Sequence, residues 1–266
     1  MAETLASLRL DGAVVADYVD GSDLESTLSP RPYLHPVRTL GGIPVTDAAP
    51  ADHRWHLGVS VALQDVDGAN FWGGRTYVRD HGYLWRDDHG RIEHAGFGQL
   101  RDDGFTETLR WIGAHGQVLL DEHRTMHART AGLGWELGII TALTNATDHP
   151  VRLGSPATNG RAGAGYGGLF WRLPPASDPR VHTATATGEQ GVHGSVAPWL
   201  VWADPAAGFT LRFAGAEADP WFVRVEDYPG VGLQLASREP VTLPPGGTIT
   251  RGLRVLVADG MIEDPA

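Results

Sequence analysis

Short segments in which apolar and polar residues alternate recur along this chain, and turn residues separate one segment from the next. Side chains of a β-strand point to the two faces of the sheet in turn, so this period of two is typical of half-buried strands. The 35 Gly and 18 Pro are spread over the 266 residues instead of being collected in a linker, which indicates frequent turns. No long amphipathic helix is evident, and we predict an all-β fold, a large antiparallel β-sandwich. The alternating segments are residues 7–16, 55–65, 91–100, 105–114, 117–129, 136–144, 199–202, 208–213, 221–225 and 249–257.

Two hairpins and three long loops are predicted between these segments. Residues 106–129 are interpreted as two strands joined across residues 114–117, and residues 135–154 as two strands joined at a turn that begins at Asn145. Residues 28–54, 66–88 and 154–178 are rich in Gly and Pro and resist assignment to strands. Loops longer than about 12–15 residues are uncommon in compact domains and often carry function, so we expect these three to form a pocket.

The composition bounds the architecture and excludes several classes of function. Large β-sandwiches reach roughly 250 residues as one unit and no linker divides this chain, so we predict one domain over residues 1–266. All 21 basic residues are Arg, which excludes a Schiff-base lysine and the lysine of a P-loop. The absence of Cys excludes thiolate nucleophiles and Cys-ligated metal sites. A net charge of −11 argues against a nucleic-acid partner.

The sequence also bears on localisation. No stretch approaches the roughly 18 consecutive apolar residues that a membrane helix needs. The first ten residues lack the basic start and apolar run of a signal peptide. We therefore expect a cytoplasmic protein with no membrane partner, and the oligomeric state stays open.

The first cluster of chemically active side chains falls in the first long loop. Within 26 residues the chain carries three His, three Arg and two Asp, among them His35, Arg38, Asp47, His53 and His56. Imidazoles titrate near neutral pH and serve as acid, base or metal ligand, so this density favours a functional site. Two other interpretations stay open, namely a divalent metal held by the three histidines and a set of loop residues that only cap turns.

Two further clusters suit a sugar ligand. Asn70 offers a carboxamide to sugar hydroxyls, and Trp72 offers a flat ring that stacks on the apolar face of a pyranose. Tyr166 and Arg172 belong to a Gly-rich segment that shows neither a Walker pattern nor a dinucleotide fingerprint, which excludes nucleotide binding there. The alternative for each of these residues is a structural role in a turn or in the core.

Glu122 is the candidate carboxylate among the predicted strands. It shares a strand face with Leu120, Arg124 and Met126, so it is expected in or near a buried region where its pKa would rise. A structural ion pair between Glu122 and Arg124 is the alternative.

Several motifs together resemble a known family. They are RPYLHPVRTLGG from Arg31, VTD from Val45, DHRWH from Asp52, DVDGANFWGG from Asp65, GRIEH from Gly90 and GYGGLFWR from Gly165. In these motifs the chain resembles the PmoA-like proteins of bacteria, a domain family of unknown function whose name is borrowed from a methane oxygenase subunit. The resemblance spans most of the chain and implies a β-supersandwich like that of the galactose mutarotases and an association with sugar catabolism. It implies no catalytic residues.

Taken together, these residues favour a carbohydrate-active protein, most readily an enzyme that acts on a sugar or an oxidised glycoside by acid–base chemistry. His53 and His56 are the predicted acid–base groups, with Glu122 as their carboxylate partner. The residues predicted to hold the small-molecule carbohydrate are His35, Arg38, Asp47, Asn70, Trp72, Tyr166 and Arg172. Two alternatives stay open: a metal-dependent hydrolase or oxygenase that uses His35, His53 and His56, and a non-catalytic sugar-binding or regulatory module.

Overall fold

Strands account for nearly all the regular structure in the computed structural model, which describes residues 3–215 and 219–262. The only helical pieces in these ranges are a 3₁₀ turn at Ser26–Leu28 and a short helix α1 at Gly188–Val192, neither of which the sequence patterns indicated. In chain order the strands are β1 (Thr4–Leu10), β2 (Ala13–Val19), β3 (Tyr33–Val37), β4 (Val59–Ala62), β5 (Asp65–Val66), β6 (Thr76–Val78), β7 (Gly82–Leu84), β8 (Arg91–Arg101), β9 (Gly104–Ile112), β10 (Val118–Ala131), β11 (Gly134–Asn145), β12 (Val151–Gly154), β13 (Gly168–Arg172), β14 (Arg180–His182), β15 (Trp199–Asp204), β16 (Phe209–Ala214), β17 (Trp221–Arg224), β18 (Gly230–Leu233), β19 (Val241–Leu243) and β20 (Thr248–Asp259).

Two large sheets form the body of the molecule. The seven-stranded sheet runs β1-β2-β3-β4-β13-β18-β17, and the eight-stranded sheet runs β14-β15-β16-β20-β11-β10-β9-β8. Neighbouring strands in both are antiparallel. A three-stranded sheet (β19-β12-β5) and the β6-β7 hairpin complete the arrangement.

The two large sheets pack face to face around one hydrophobic core. The core cluster contains side chains from both sheets. Trp171 of β13 meets Phe213 of β16 edge-on at 5.5 Å between ring centroids, and Tyr18 of β2 packs on Phe105 of β9 at 4.8 Å. The predicted antiparallel β-sandwich is confirmed.

One predicted hairpin is confirmed and the other is wrong. Strands β9 and β10 pair across a tight connection in which Gly113 and Gln117 are hydrogen-bonded. Strand β12 does not pair with β11 but with β19 and β5. Both edges of β11 are already occupied by β10 and β20, so the returning chain joins another sheet. Residues 7–16 are likewise two strands rather than one, because Asp11 and Gly12 turn the chain with φ of +49° and +83°.

The three predicted long loops contain strands of their own. Strand β3 lies in the first, the β6-β7 hairpin in the second and β13 in the third. All five residues of β13 are buried, so its sequence shows no alternation and does not predict a half-buried strand.

Candidate functional site

A cavity of about 580 Å³ lies beside the outer face of the seven-stranded sheet, on the side away from the main core. Alternate residues of β13 show the two faces: Leu169 and Trp171 belong to the main core, and Phe170 belongs to a second cluster. Phe222 of β17 joins Phe170 in that second cluster. The lining residues are His53, Trp55, His56, Trp72, Gly73, Arg75, Tyr83, Trp85, Arg161, Tyr166, Phe222, Arg224, Asp227 and Tyr228.

Strand β18 presents glycine on this face, where the packing is close. Gly232 pairs with Phe170 on one side and with Phe222 on the other. A Cβ at Gly232 would stand 2.7 Å from the carbonyl oxygen of Leu169, so a larger residue does not fit. The neighbouring aromatic rings therefore pack over bare backbone.

A buried arginine holds together the loops that carry Trp55 and Trp72. The guanidinium of Arg31 donates to the carbonyl oxygens of Trp55 (2.8 Å) and Trp72 (3.2 Å). It also donates to the carbonyl oxygens of Leu28 (3.2 Å) and Ser29 (3.0 Å). Burial lowers the pKa of Arg31 to about 9, and the group remains a cation at neutral pH.

The turn that delivers Trp72 is shaped by Asn70, which is fully buried. Its side-chain oxygen accepts hydrogen bonds from the amides of Trp72 and Gly73, both at 2.9 Å. Its nitrogen donates to Thr76 Oγ1 at 2.9 Å. Asn70 was predicted to bind the ligand directly, but its polar atoms are used to fold the loop.

Gly74, which follows Trp72 and Gly73, lets the Trp55 ring lie on the loop that carries Trp72. Gly74 has φ of +70°, and a Cβ there would come within 2.7–2.9 Å of the Trp55 ring. The indole therefore packs on the backbone and forms one wall of the cavity.

A cluster of aromatic rings, against which Trp55 packs, makes a further part of the wall. Trp72 packs on Tyr166 (4.7 Å between ring centroids) and on Phe170 (4.9 Å). Tyr166 contacts Phe222 at 5.8 Å. Such a wall offers flat apolar surfaces of the kind that stack on sugar rings.

Asp52 and His53 form a hydrogen-bonded pair at the edge of the cavity. His53 Nδ1 lies 2.8 Å from Asp52 Oδ2, and because a carboxylate only accepts, Nδ1 carries the hydrogen. Burial acts to raise the pKa of Asp52, but the hydrogen bond from His53, a backbone hydrogen bond and the charges of His53 and Arg172 together lower it. Within the part of the chain that the structure describes, His53 Nε2 has no hydrogen-bond partner, so it is available to a ligand.

His56 lies behind His53 and is almost completely buried. The two imidazoles are stacked, with 4.8 Å between centroids and 17° between planes. Burial, together with the nearby His53 and Arg172, lowers the pKa of His56 well below its usual value, so the ring is neutral at pH 7. Arg172 Nη1 lies 3.4 Å from His56 Nδ1, which accordingly accepts.

Tyr228 covers both histidines. Its ring centroid lies 4.6 Å from that of His53 and 4.7 Å from that of His56, and the Arg172 guanidinium stands 5.3 Å from the ring. Burial raises the pKa of the Tyr228 phenol, with Arg224 acting in the opposite direction, so the hydroxyl stays protonated and can donate.

A chain of hydrogen bonds runs from the mouth of the cavity into the protein. Arg161 Nη1 donates to Tyr83 OH (2.5 Å), and the hydroxyls of Tyr83 and Tyr166 are 2.9 Å apart. Gln64 Nε2 donates to Tyr166 OH at 2.9 Å. Burial raises the pKa of Tyr166 well above its usual value, so this phenol too remains protonated.

Of the residues predicted from sequence, four line this cavity. They are His53, His56, Trp72 and Tyr166. Arg172 is buried behind the wall, where it contacts His56 and Tyr228.

The other predicted ligand-binding residues lie elsewhere. His35 Nδ1 pairs with Thr46 Oγ1 at 3.0 Å, Arg38 pairs with Asp17 at 3.4 Å, and Asp47 accepts from the amide of the next residue. None of the three lines the cavity.

Glu122 is buried in the core between the sheets instead of facing the cavity. Its Oε1 accepts from Arg124 Nε and Thr141 Oγ1, both at 2.7 Å. Its Oε2 accepts from Trp111 Nε1 at 2.8 Å and from Arg124 Nη2 at 2.9 Å. The structure thus favours the structural ion pair, because each oxygen of the carboxylate already accepts two hydrogen bonds.

The three histidines of the alternative metal site do not come together in the described part of the chain. Among the described residues, no three His, Cys, Asp or Glu side chains are grouped so that they could hold a metal ion. The ring of His35 is turned to Thr46, whereas His53 and His56 stack on each other beside the cavity.

Sequence patterns did not single out several lining residues. Tyr83 and Trp85 belong to the β6-β7 region, which was interpreted as loop, and Phe222, Arg224, Asp227 and Tyr228 lie at the end of β17 and just after it. The available signal was an aromatic residue in the turn sequence Asp227-Tyr-Pro-Gly, but a tyrosine in a turn does not reveal which cavity it faces.

Comparison with known proteins found similar solved structures. A GH36 α-galactosidase, AgaA, from Geobacillus stearothermophilus has a TM-score of 0.49 and 12% identity, over 98% of this chain and 41% of that one. A galactose mutarotase related enzyme from Lactobacillus acidophilus has a TM-score of 0.46 and 10% identity, over 100% of both chains. A galactose mutarotase-like protein from Lactobacillus casei has a TM-score of 0.46 and 9% identity, over 94% of this chain and 99% of that one. Residue roles do not carry over at such identities.

A search of curated proteins gave no significant match. Within residues 3–215 and 219–262, no helix has the length and apolar character needed to cross a membrane.

The sequence as a whole matches one family model. That model is described as a family of unknown function, DUF6807, and it covers residues 6–266. The PmoA-like name is not part of that description and stays a prediction. The chain belongs to the DUF6807 family.

Proposed function

We propose that this protein is a carbohydrate-active enzyme that performs acid–base chemistry on a sugar bound in the aromatic cavity. One observation carries the proposal: a His–Asp pair with a free imidazole nitrogen opens onto a cavity of about 580 Å³ walled by aromatic rings. Cavities of roughly 300–1,000 Å³ accommodate small molecules, and aromatic walls with a few polar groups suit sugars.

His53 is the proposed acid–base residue. Asp52 holds Nδ1, which fixes the ring orientation and leaves Nε2 to take a proton from a sugar hydroxyl or carbon. Asp52 also stabilises the imidazolium that forms when His53 accepts that proton. His56 is neutral and buried, so we assign it the support of the His53 ring rather than proton transfer.

Tyr228 is the proposed hydrogen-bond donor that works with His53. Its ring touches that of His53, and its raised pKa keeps the phenol protonated. In the interconversion of anomers, His53 would take the proton of the anomeric hydroxyl. Tyr228 would donate its phenolic proton to the ring oxygen as the C1–O5 bond breaks. Closure on the other face of the aldehyde returns both protons.

Turnover of a sugar panel by the wild-type protein tests the proposal. Exchange NMR follows anomer interconversion of free aldoses, release of nitrophenol follows hydrolysis of aryl glycosides, and ultraviolet absorbance follows elimination from uronate-containing glycosides. We expect activity in one of these assays. Sugar binding without turnover in all three would instead assign a binding module.

The first variant to make is His53→Gln, which removes the base but keeps a polar side chain of similar reach. We expect turnover to fall by about 100-fold or more, since positioned acid–base groups typically contribute 10²–10⁴-fold. Sugar affinity, measured by ligand-observed NMR, should change little because the aromatic walls are intact.

His115→Gln is the matched control. His115 is exposed in the connection between β9 and β10 and does not line the cavity. Its turnover should equal that of the wild type. A His53→Gln protein with full activity would refute the role of His53.

A further inference from the structure

Two arginines that line the cavity have no carboxylate partner among the described residues. The guanidinium of Arg75 stands 5.9 Å from the ring centroid of Trp85, and that of Arg161 stands 5.0 Å from the ring centroid of Tyr83. Arg161 also donates to the Tyr83 hydroxyl. Neither cation takes part in an ion pair within the described part of the chain, and both side chains are exposed to solvent at the cavity.

The two aromatic rings bring these cations to the same side of the cavity. Tyr83 lies in β7, Trp85 directly follows that strand, and both line the cavity. Two residues of extended chain advance by roughly 6.6 Å, so the two residues lie close together along the chain. Both guanidinium groups therefore stand on the β7 side of the cavity, each beside an aromatic ring that lines it.

Other charges at the cavity do not neutralise this pair. Arg224 is offset by Glu189 at 3.5 Å and donates to the carbonyl oxygen of Val223. Asp227 is the carboxylate in the lining, but it adjoins Tyr228, which belongs to the histidine side. In a chain with net charge −11, two unpaired cations on one wall mark a local preference for anions.

We propose that the sugar bound here carries an anionic substituent, a carboxylate or a phosphate, which Arg75 and Arg161 hold. This inference rests on the proposed function, because it names the substrate class of the same site. Guanidinium groups match the geometry of carboxylate and phosphate oxygens and bind them by charge-assisted hydrogen bonds. The anionic group would lie against the Tyr83 and Trp85 side while the sugar ring faces His53.

Binding of matched sugars to the wild-type protein tests this inference. The probes are D-glucose with D-glucuronate and D-glucose 6-phosphate, and D-galactose with D-galacturonate and D-galactose 6-phosphate, titrated by ligand-observed NMR at low ionic strength. We expect an anionic member of at least one set to bind about tenfold more tightly than its neutral parent. Whether carboxylate or phosphate gives the larger gain identifies the source of the charge.

Variants then test whether Arg75 and Arg161 cause the tighter binding of anionic sugars. Arg75→Gln and Arg161→Gln should each weaken binding of the anionic sugar by about fivefold and leave binding of the neutral sugar unchanged. Arg79→Gln is the matched control, because Arg79 is an exposed cation between β6 and β7 that does not line the cavity. Its affinities should equal those of the wild type.

The outcomes separate this inference from the proposed function. Equal affinities for neutral and anionic sugars would overturn the inference and leave the proposed function standing. An anion preference that survives in both arginine variants would also overturn it. If no sugar of either set binds, both the inference and the proposed function are refuted.

Discussion

At the scale of single residues, Arg31 carries a full charge in the interior without a carboxylate among the described ion pairs. Its guanidinium is satisfied by four carbonyl oxygens, whose dipoles offset part of the desolvation cost. These carbonyls belong to separate loops, two of which carry Trp55 and Trp72. The charge is thus used to fix the shape of the cavity.

Replacement of Arg31 tests this role. Arg31→Met removes the donors and leaves buried carbonyl oxygens unsatisfied, so we expect the free energy of unfolding to fall by about 3 kcal/mol or more. Urea unfolding followed by tryptophan fluorescence measures it. Arg54→Met, at an exposed arginine paired with Glu25, should change stability by about 0.5 kcal/mol or less. Equal stabilities of the two variants would contradict the assignment.

His56 gives the folded state a specific dependence on pH. Its pKa is lowered from 6.5 by burial, so between that value and its folded pKa the unfolded chain binds more protons than the folded one. The stabilisation is fully present above pH 6.5 and is lost as pH falls, at up to about 1.4 kcal/mol per pH unit. His56→Phe should reduce this slope in urea unfolding between pH 7 and pH 5.

The comparison with a second histidine makes that prediction specific. His115→Gln removes an exposed imidazole and should keep the slope of the wild type. If His56→Phe unfolds with the same pH dependence as the wild type, His56 is not the group responsible.

At the scale of elements, β10 supplies the polar centre of an otherwise apolar interior. Glu122 and Arg124 lie one strand step apart and are both buried. Arg124 also donates to Tyr18 OH at 2.7 Å, and Tyr18 bonds Glu107 on β9. This network joins β2 of one sheet to β9 and β10 of the other, so it fixes how the sheets align.

A substitution at Glu122 separates a structural role from a catalytic one. Glu122→Gln removes the negative charge that faces the buried Arg124 guanidinium. We therefore expect a loss of about 3 kcal/mol in unfolding free energy, as for broken buried ion pairs. Sugar affinity and turnover of the folded protein should be unchanged, because Glu122 does not line the cavity. Glu93→Gln, at an exposed glutamate paired with Arg91, is the control that should leave stability nearly unaltered. A stable Glu122→Gln protein without turnover would restore the catalytic assignment.

At the scale of the whole molecule, the site depends on strand order. Strands β4, β13, β18 and β17 are neighbours in the seven-stranded sheet, although residues 59 and 224 are far apart in sequence. Antiparallel pairing places the start of β4, the end of β13, the start of β18 and the end of β17 together. His56, Arg172 and Tyr228 meet there for that reason.

The sequence by itself determined the local features of this protein. Period-two alternation predicted most strands of the eight-stranded sheet, most clearly β9 and β10, because each of these two buries one face and its pattern is complete within a few residues. The unusual density of His, Trp and Tyr pointed to His53, His56, Trp72 and Tyr166, which do share one cavity. Strand β13 escaped detection because burial on both faces removes the alternation.

Only the tertiary structure decided which side chains meet. Asn70 and Glu122 have the chemistry of ligand-binding or catalytic groups, yet their oxygens are used inside a turn and inside the core. Arg75, Arg161 and Tyr228 look like ordinary loop residues and become cavity walls through the packing of distant segments. A local pattern records which face of a strand is apolar. Which side chains meet in a cavity depends instead on the pairing of strands that are far apart in sequence, and no single segment encodes that pairing.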